Sequence, residues 1–176
     1  MKLITLSTRL LIGGLFFGHG TQKLKGWFGG QGLDGTAGFM SSIDMHPGRR
    51  NAVAAGVTET AGGTMLALGL GTPLAAAAIT GTMTTAIRKV HLSNGVWNVN
   101  GGWELNAMMI AAAALIVEQG PGAVSLDAAL GIERKGAGWA VAALALGAAA
   151  SYASIEAGRR NAPPVEPATA EAAPVS

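Results

Sequence analysis

The sequence predicts an all-α integral membrane protein: a four-helix bundle with an additional C-terminal hydrophobic helix and a disordered tail. Charged residues make up 12% of the 176 residues, about half the usual share of a soluble domain. Hydrophobic residues reach 49%, and the chain contains 27 glycines. Glycine and alanine suit close contact between helices in lipid better than a thick aqueous core. The apolar residues are also gathered into long segments, which favours membrane-spanning helices.

Five segments approach the roughly 20 residues that a helix needs to cross a bilayer core about 30 Å thick. They cover residues 6–28, 51–70, 74–91, 104–117 and 137–155. The first four form the predicted bundle within residues 1–132. The fifth belongs to residues 133–158, predicted as an additional transmembrane or membrane-associated helix. Residues 159–176 end in a Pro/Ala-rich stretch whose composition is typical of a disordered tail.

Local motifs justify the individual helices. Trp27 and Phe28 are aromatic residues of the kind found where a helix leaves the membrane, and Arg9 is expected at the opposite interface. Pro73, just after the glycine-rich "LGLG", predicts a tight turn that makes the second and third segments an antiparallel hairpin. Two glycine pairs predict faces where helices pack closely. They are Gly14 with Gly18, and Gly56 with Gly63.

Several function classes are excluded or disfavoured. The chain has no cysteine, so it cannot perform dithiol–disulfide exchange or bind an iron–sulfur cluster through thiolates. The net charge of +2 and the absence of long basic runs argue against a nucleic-acid partner. The segment "GQGLDG" (residues 30–35) has the GxGxxG spacing, but no strand precedes it. It is predicted to be a flexible interfacial loop rather than a nucleotide site.

Titratable residues of the first two helices converge in one half of the bilayer. His19 falls near the middle of the first helix, and Lys23 lies about 6 Å closer to the first connection. Glu59, on the returning second helix, lies about 12 Å in from the same side. A charge in hydrocarbon is costly unless it is paired, so we predict an ion pair between Lys23 and Glu59.

The third helix adds a polar stripe that ends on the same side of the membrane. Thr80, Thr84, Arg88 and His91 follow helical spacing, and Glu104 begins the fourth helix nearby. Together with the first two helices, these residues predict a polar cavity, with Trp27 and Trp103 at its rim. The candidate ligand-binding residues are His19, Lys23, Glu59, Arg88, His91 and Glu104.

Two alternatives compete with this interpretation. Basic side chains near helix ends often extend to lipid head groups without any further role, which applies to Arg88 and His91. A haem or metal site using His19 and His91 would need the two rings at matched depth, whereas His19 is expected much deeper. No metal site and no covalent cofactor are therefore predicted.

Three long motifs and one short one resemble the DoxX family of small bacterial membrane proteins. They are "RLLIGGLFFGHGTQKLKGWFGGQGLDG" (9–35), "GVTETAGGTMLALGLGTPLAAAAITGTM" (56–83), "VHLSNGVWNVNGGWELN" (90–106) and "SLDAALG" (125–131). The resemblance implies a four-helix, multi-pass bundle in the bacterial inner membrane. One related branch, the DoxD-like proteins, forms the membrane subunit of a thiosulfate:quinone oxidoreductase. Other members are associated with soluble redox enzymes.

Two hypotheses about function follow. In the first, the chain is a redox-linked membrane subunit whose polar pocket binds quinone or a small sulfur-containing or other anionic species. Its partners would be a soluble redox enzyme or a second membrane subunit. In the second, it is a non-catalytic scaffold or carrier that binds a lipid head group or a partner protein. Both hypotheses include contact with the lipid bilayer and allow a homo-oligomer, and the sequence does not decide whether the chain is an enzyme.

The distribution of Lys and Arg predicts the orientation. The side with the first connection holds more of them than the opposite side. Because positively charged connections stay in the cytoplasm, we predict that the first connection is cytoplasmic and the N-terminus outside.

Overall fold

The computed structural model describes residues 2–164, apart from the side chain of Lys2. Helices account for 79% of the structure, and no strand occurs among the described residues, which confirms the all-α class. The last helix extends through Arg160, two residues into the predicted tail. Residues 165–176 of that tail lie outside the described residues.

The described chain contains seven α-helices. Three 3₁₀ turns and one π turn connect them, and the π turn, Ile87–His91, directly continues the fourth helix. The α-helices are α1 (Lys2–Lys25), α2 (Gly32–Ser42), α3 (Gly48–Leu68), α4 (Thr72–Ala86), α5 (Glu104–Gln119), α6 (Leu126–Ala129) and α7 (Ala137–Arg160).

The helices pack in a connected series. α1 packs against α3, α3 against α4, and α4 against both α5 and α7, which also touch each other. α1 and α5 make few contacts, so the bundle is loosely closed on that side. α2 lies across α1 and α3 where α1, α4 and α7 end. We call this the α2 end of the bundle, and the opposite end, with α6, the α6 end.

Glycine lets α1 approach the backbone of α3. A Cβ added to Gly13 would lie 2.5 Å from the carbonyl oxygen of Gly63, and one added to Gly20 would lie 2.6 Å from that of Gly56. The prediction that Gly56 and Gly63 form a packing face is therefore confirmed. The prediction for Gly14 and Gly18 is wrong within this chain, because a Cβ at either position would meet nothing within 4 Å.

α7 packs along α4 instead of standing apart from the other helices. A Cβ on Gly147 would lie 2.6 Å from the Cβ of Thr80, so only glycine permits this crossing. One turn further, the hydroxyl oxygens of Thr85 and Ser151 lie 2.9 Å apart and share a hydrogen bond. Gly158 then contacts the backbone of residues 44–46 at the α2 end. The fifth apolar segment thus belongs to the wall of the helix bundle.

Two helices are long and apolar enough to cross a membrane: Leu3–Lys25 within α1, and α7. α4 has 15 residues and α5 has 16, which gives lengths of about 23 Å and 24 Å. α3 is longer but carries Asn51, Glu59 and three threonines. The passage of these three helices through the membrane stays a prediction.

The first connection differs from the predicted flexible loop. The predicted first helix extended to residue 28, but α1 ends at Lys25 because Gly26 adopts a left-handed conformation with φ 72°. The last four residues of "GQGLDG" then form the first turn of α2. Thr36 in α2 is buried, and the exposed Arg49 of α3 pairs with Asp34 of α2 at 2.6 Å. The segment is thus an ordered helix packed on the bundle.

Candidate functional site

A cavity of about 640 Å³ lies toward the α2 end, within the range typical of small-molecule sites. Side chains of α1, α3, α4, α5 and α7 line it, and α2 contributes Phe39 and Met40. Most of the lining is apolar. The polar and charged lining residues are His19, Lys23, Asn51, Thr58, Glu59, Thr82, Thr85, His91, Asn106, Ser151 and Ser154.

Lys23 and Glu59 form the predicted ion pair within this cavity. The Nζ of Lys23 lies 2.6 Å from the Oε2 of Glu59. The Glu59 side chain is 6% exposed and that of Lys23 is 27% exposed. The close approach of α1 and α3 at Gly20 and Gly56 brings the two side chains within reach. The prediction is confirmed, and the pair adds no net charge to the cavity.

His19 lies in the cavity lining but on an exposed part of α1. Its Nδ1 is 3.0 Å from the Oε1 of Gln22, one turn further along the helix. Gln22 in turn donates from Nε2 to the carbonyl of Phe28 at 3.3 Å. His19 therefore belongs at the mouth of the cavity, and the residues after α1 orient its ring.

His91 reaches the cavity through the π turn that follows α4. Its Nδ1 lies 2.7 Å from the carbonyl oxygen of Gly101, which also accepts a hydrogen bond from Asn94 at 3.2 Å. Gly101 adopts a left-handed conformation with φ 77°, which favours glycine there. The connection between α4 and α5 thus holds the ring in place.

Arg88 does not line the cavity, contrary to the prediction that it forms a wall opposite Lys23. It is exposed, and its guanidinium lies 5.8 Å from the ring centroid of Tyr152 on α7. Thr80, two turns earlier on the predicted stripe, contacts Gly147 of α7, so this face of α4 meets α7 and not the cavity. The π turn that follows changes the facing of the later residues and brings His91 back to the lining. Arg88 therefore lies beside α7 while His91 lines the cavity.

Glu104 and the two predicted rim tryptophans also lie outside the lining. The Glu104 carboxylate accepts a hydrogen bond from the backbone N–H of Asn98 at 2.6 Å, so it orders the connection before α5. Trp27 lies in the 3₁₀ turn after α1 and is 53% exposed. Trp103 directly precedes α5. The structure thus brings together four of the six candidates: His19, Lys23, Glu59 and His91.

The sequence interpretation missed several lining residues. Ser151 and Ser154 lie one turn apart on α7, a spacing that marks a polar face on an otherwise alanine-rich helix. Asn106, in the first turns of α5, donates to the Met83 sulfur at 3.3 Å. Phe39 and Met40 had no recognisable signal, because their segment was predicted to be a loop.

A second polar cluster, also missed, occupies the α6 end. Arg9, whose predicted position was near an interface, is 1% exposed. Its guanidinium donates to the carbonyls of Pro121, Ala67 (3.2 Å) and Val124 (2.8 Å). Asp127, also 1% exposed, accepts hydrogen bonds from the backbone N–H groups that begin α4. These contacts fix the turn between α3 and α4.

The side chains at the cavity are of types that can bind a small molecule by hydrogen bonds. Among the described residues, no group of three or more His, Cys, Asp and Glu side chains could hold a metal ion. The cavity offers an apolar volume, a neutral ion pair and two imidazoles. Such a site can orient an amphipathic molecule by its polar head.

Comparison with protein families gives a match to the family model described as DoxX, over residues 4–92. This range covers half of the 176-residue chain and contains α1–α4 with the π turn. It includes His19, Lys23, Glu59 and His91, whereas α5 and α7 lie beyond it. No curated protein and no solved structure matches the chain.

Proposed function

The chain belongs to the membrane-associated DoxX family, and from this premise we propose that it is a membrane subunit of a redox system whose cavity binds a quinone. The observation that carries the proposal is the cavity of about 640 Å³, apolar over most of its lining and polar around Lys23 and Glu59. The apolar part suits a ring and the start of an isoprenoid tail. The polar part suits the carbonyl or hydroxyl groups of the head.

The charges favour a neutral head group over the sulfur-containing anion that the sequence also suggested. Glu59 neutralises Lys23 at 2.6 Å, and Arg88, the second expected cation, lies outside the cavity beside Tyr152. An anion would therefore be desolvated without an unpaired cation to receive it. A quinone is uncharged, so its binding does not require the desolvation of an anion.

The loose contact between α1 and α5 offers a path for the tail. Leu15 on α1 and Leu105 on α5 both line the cavity and are 45% and 46% exposed. An apolar tail that leaves the cavity between them would continue into the lipid. Because the chain contains no cysteine, electrons would come from a soluble redox enzyme or a second membrane subunit.

Binding of a short-tail quinone to the purified chain tests this proposal. We expect thermal stabilisation that saturates with quinone concentration, measured in detergent or nanodiscs. Ala55→Phe, which fills the cavity from α3, should abolish it. Ala61→Phe, at an exposed position of the same helix outside the lining, is the matched control and should keep it. Equal stabilisation of both variants, or none of the wild type, would contradict the proposal.

The second candidate function is a scaffold or carrier whose cavity receives part of a lipid. The predominantly apolar lining supports it, since an acyl chain would fit the same volume. The content of the purified protein separates the two functions. A quinone would give a reversible redox difference spectrum in the extract, whereas co-purified lipid without quinone would favour the carrier.

A further inference from the structure

The hydrogen bond of His91 assigns the proton on its ring. A backbone carbonyl oxygen only accepts hydrogen bonds, so the Nδ1 that lies 2.7 Å from the Gly101 oxygen must donate. In the neutral imidazole, Nε2 then carries the lone pair. No other hydrogen bond of this ring occurs among the described residues, and the side chain lines the cavity. His91 thus offers the cavity a hydrogen-bond acceptor.

The same reasoning applies to His19. The Gln22 amide nitrogen donates to the Phe28 carbonyl, which leaves its Oε1 toward Nδ1 of His19. Since Oε1 only accepts, Nδ1 of His19 carries the proton and Nε2 the lone pair. A flipped Gln22 amide would place two acceptors against each other at Phe28. Both imidazoles therefore have their acceptor nitrogen free of the protein.

Several donors of the lining are already engaged. Lys23 donates to Glu59, and the Asn51 amide donates to the Pro47 carbonyl at 3.1 Å. Thr82 and Thr85 donate to carbonyls within α4. The lining hydroxyls of Thr58 and Ser154 have no hydrogen-bond partner among the described residues and can donate or accept, whereas the two imidazole Nε2 atoms can only accept. A hydroquinone hydroxyl can pair with both kinds of group, whereas a quinone carbonyl leaves both Nε2 atoms unpaired. A ligand that donates hydrogen bonds gains more from this lining than one that only accepts.

We infer that the cavity selects the reduced, hydroxyl-bearing form of the quinone, and that Nε2 of His91 accepts a hydrogen bond from one of its hydroxyl groups. This inference rests on the proposed function and adds the redox form of the ligand to it. A hydroquinone donates two hydrogen bonds, whereas a quinone donates none. The carbonyl of Gly101 makes His91 a positioned acceptor by holding the proton on Nδ1.

Three probes with the same short tail test the inference on the full chain at pH 8 without oxygen: the quinone, the hydroquinone and the hydroquinone dimethyl ether. We expect the hydroquinone to bind roughly 10-fold more tightly than the quinone, as one or two net hydrogen bonds would give. The dimethyl ether has a similar ring and tail but no hydroxyl group. It should therefore not bind more tightly than the quinone.

Variants at position 91 identify the acceptor. His91→Asn keeps a donor for the Gly101 carbonyl but ends before the Nε2 position, and it should reduce the preference for hydroquinone to about 2-fold or less. His91→Gln extends to the Nε2 position and should retain part of the preference. Arg88→Gln, outside the cavity, should keep all of it. The folded state of each variant is checked by gel filtration.

The outcomes separate the inference from the proposed function. Equal affinity of quinone, hydroquinone and ether would overturn the selection of the reduced form while leaving quinone binding intact. An undiminished preference in His91→Asn would overturn the role of His91. Absence of binding by all three probes would overturn the proposed function together with this inference.

Discussion

The ion pair between Lys23 and Glu59 illustrates how a single buried charge constrains the structure. Glu59 is 5% exposed, so its carboxylate depends on the ammonium 2.6 Å away. Lys23→Met leaves this charge buried and unpaired, and we expect a loss of about 3 kcal/mol in the free energy of unfolding. Adding Glu59→Gln should recover part of that loss. Unfolding of the single and double variants in detergent measures the coupling.

An exposed pair in the same chain provides the control. Arg49 and Asp34 also lie 2.6 Å apart, but their side chains are 67% and 91% exposed. Solvent screens such a pair, so Arg49→Met and Asp34→Asn should show little coupling. Strictly additive losses for Lys23→Met and Glu59→Gln would contradict the role we assign to the buried pair.

Whether the position of a charged residue could be predicted from the sequence depended on what that residue contacts. Lys23 and Glu59 could be paired because depth along two antiparallel helices follows from residue counting. Arg88 could not be placed, because the sequence did not show that the face of α4 with Thr80 and Arg88 packs against α7. Arg9 donates to three backbone carbonyls in two distant segments, and a sequence does not show which backbone carbonyls a side chain will meet.

At the scale of helices, backbone approach decides the packing of α1 on α3. Gly20 faces the backbone of Gly56 and Thr60, whereas Gly18 on the same helix faces nothing within 4 Å. Gly20→Leu should therefore separate the helices and destabilise the chain by at least about 2 kcal/mol. Gly18→Leu should leave the melting temperature of the monomer unchanged. Equal melting temperatures for the two variants would contradict this packing.

The glycines also explain why one helix contact and one helix were predicted incorrectly from the sequence. GxxxG spacing selected Gly14 and Gly18, but α1 uses Gly13 and Gly20, two full turns apart. Spacing alone does not say which face of a glycine-rich helix meets its neighbour. α2 was not predicted, because four glycines in residues 29–35 indicated a loop. The helix nevertheless packs on the bundle, and its residue Thr36 is buried. Its packing on α1 and α3 overrides the weak local propensity.

For the whole molecule, the charges are divided unequally between the two ends. The α2 end carries seven Lys or Arg residues outside the cavity: Lys25, Arg49, Arg50, Arg88, Lys89, Arg159 and Arg160. The α6 end carries Lys2, at the start of α1, and the exposed Arg134 and Lys135, while Arg9 is 1% exposed and bound to backbone carbonyls. Burial of Arg9 strengthens the predicted asymmetry. The α2 end is therefore the side expected in the cytoplasm.

Labelling of single cysteines tests both this orientation and the number of spans, without background because the chain has no cysteine. Gly38 and Asn161 are exposed at the α2 end, and Ala123 is exposed at the α6 end. With five spans and a cytoplasmic α2 end, an impermeant maleimide should label only Ala123→Cys in intact cells. All three variants should react once the membrane is disrupted. Labelling of Gly38→Cys and Asn161→Cys alone would reverse the orientation. If only one of Gly38→Cys and Asn161→Cys were labelled in intact cells, the two positions would lie on opposite sides of the membrane. In that case α7 does not cross with the other helices.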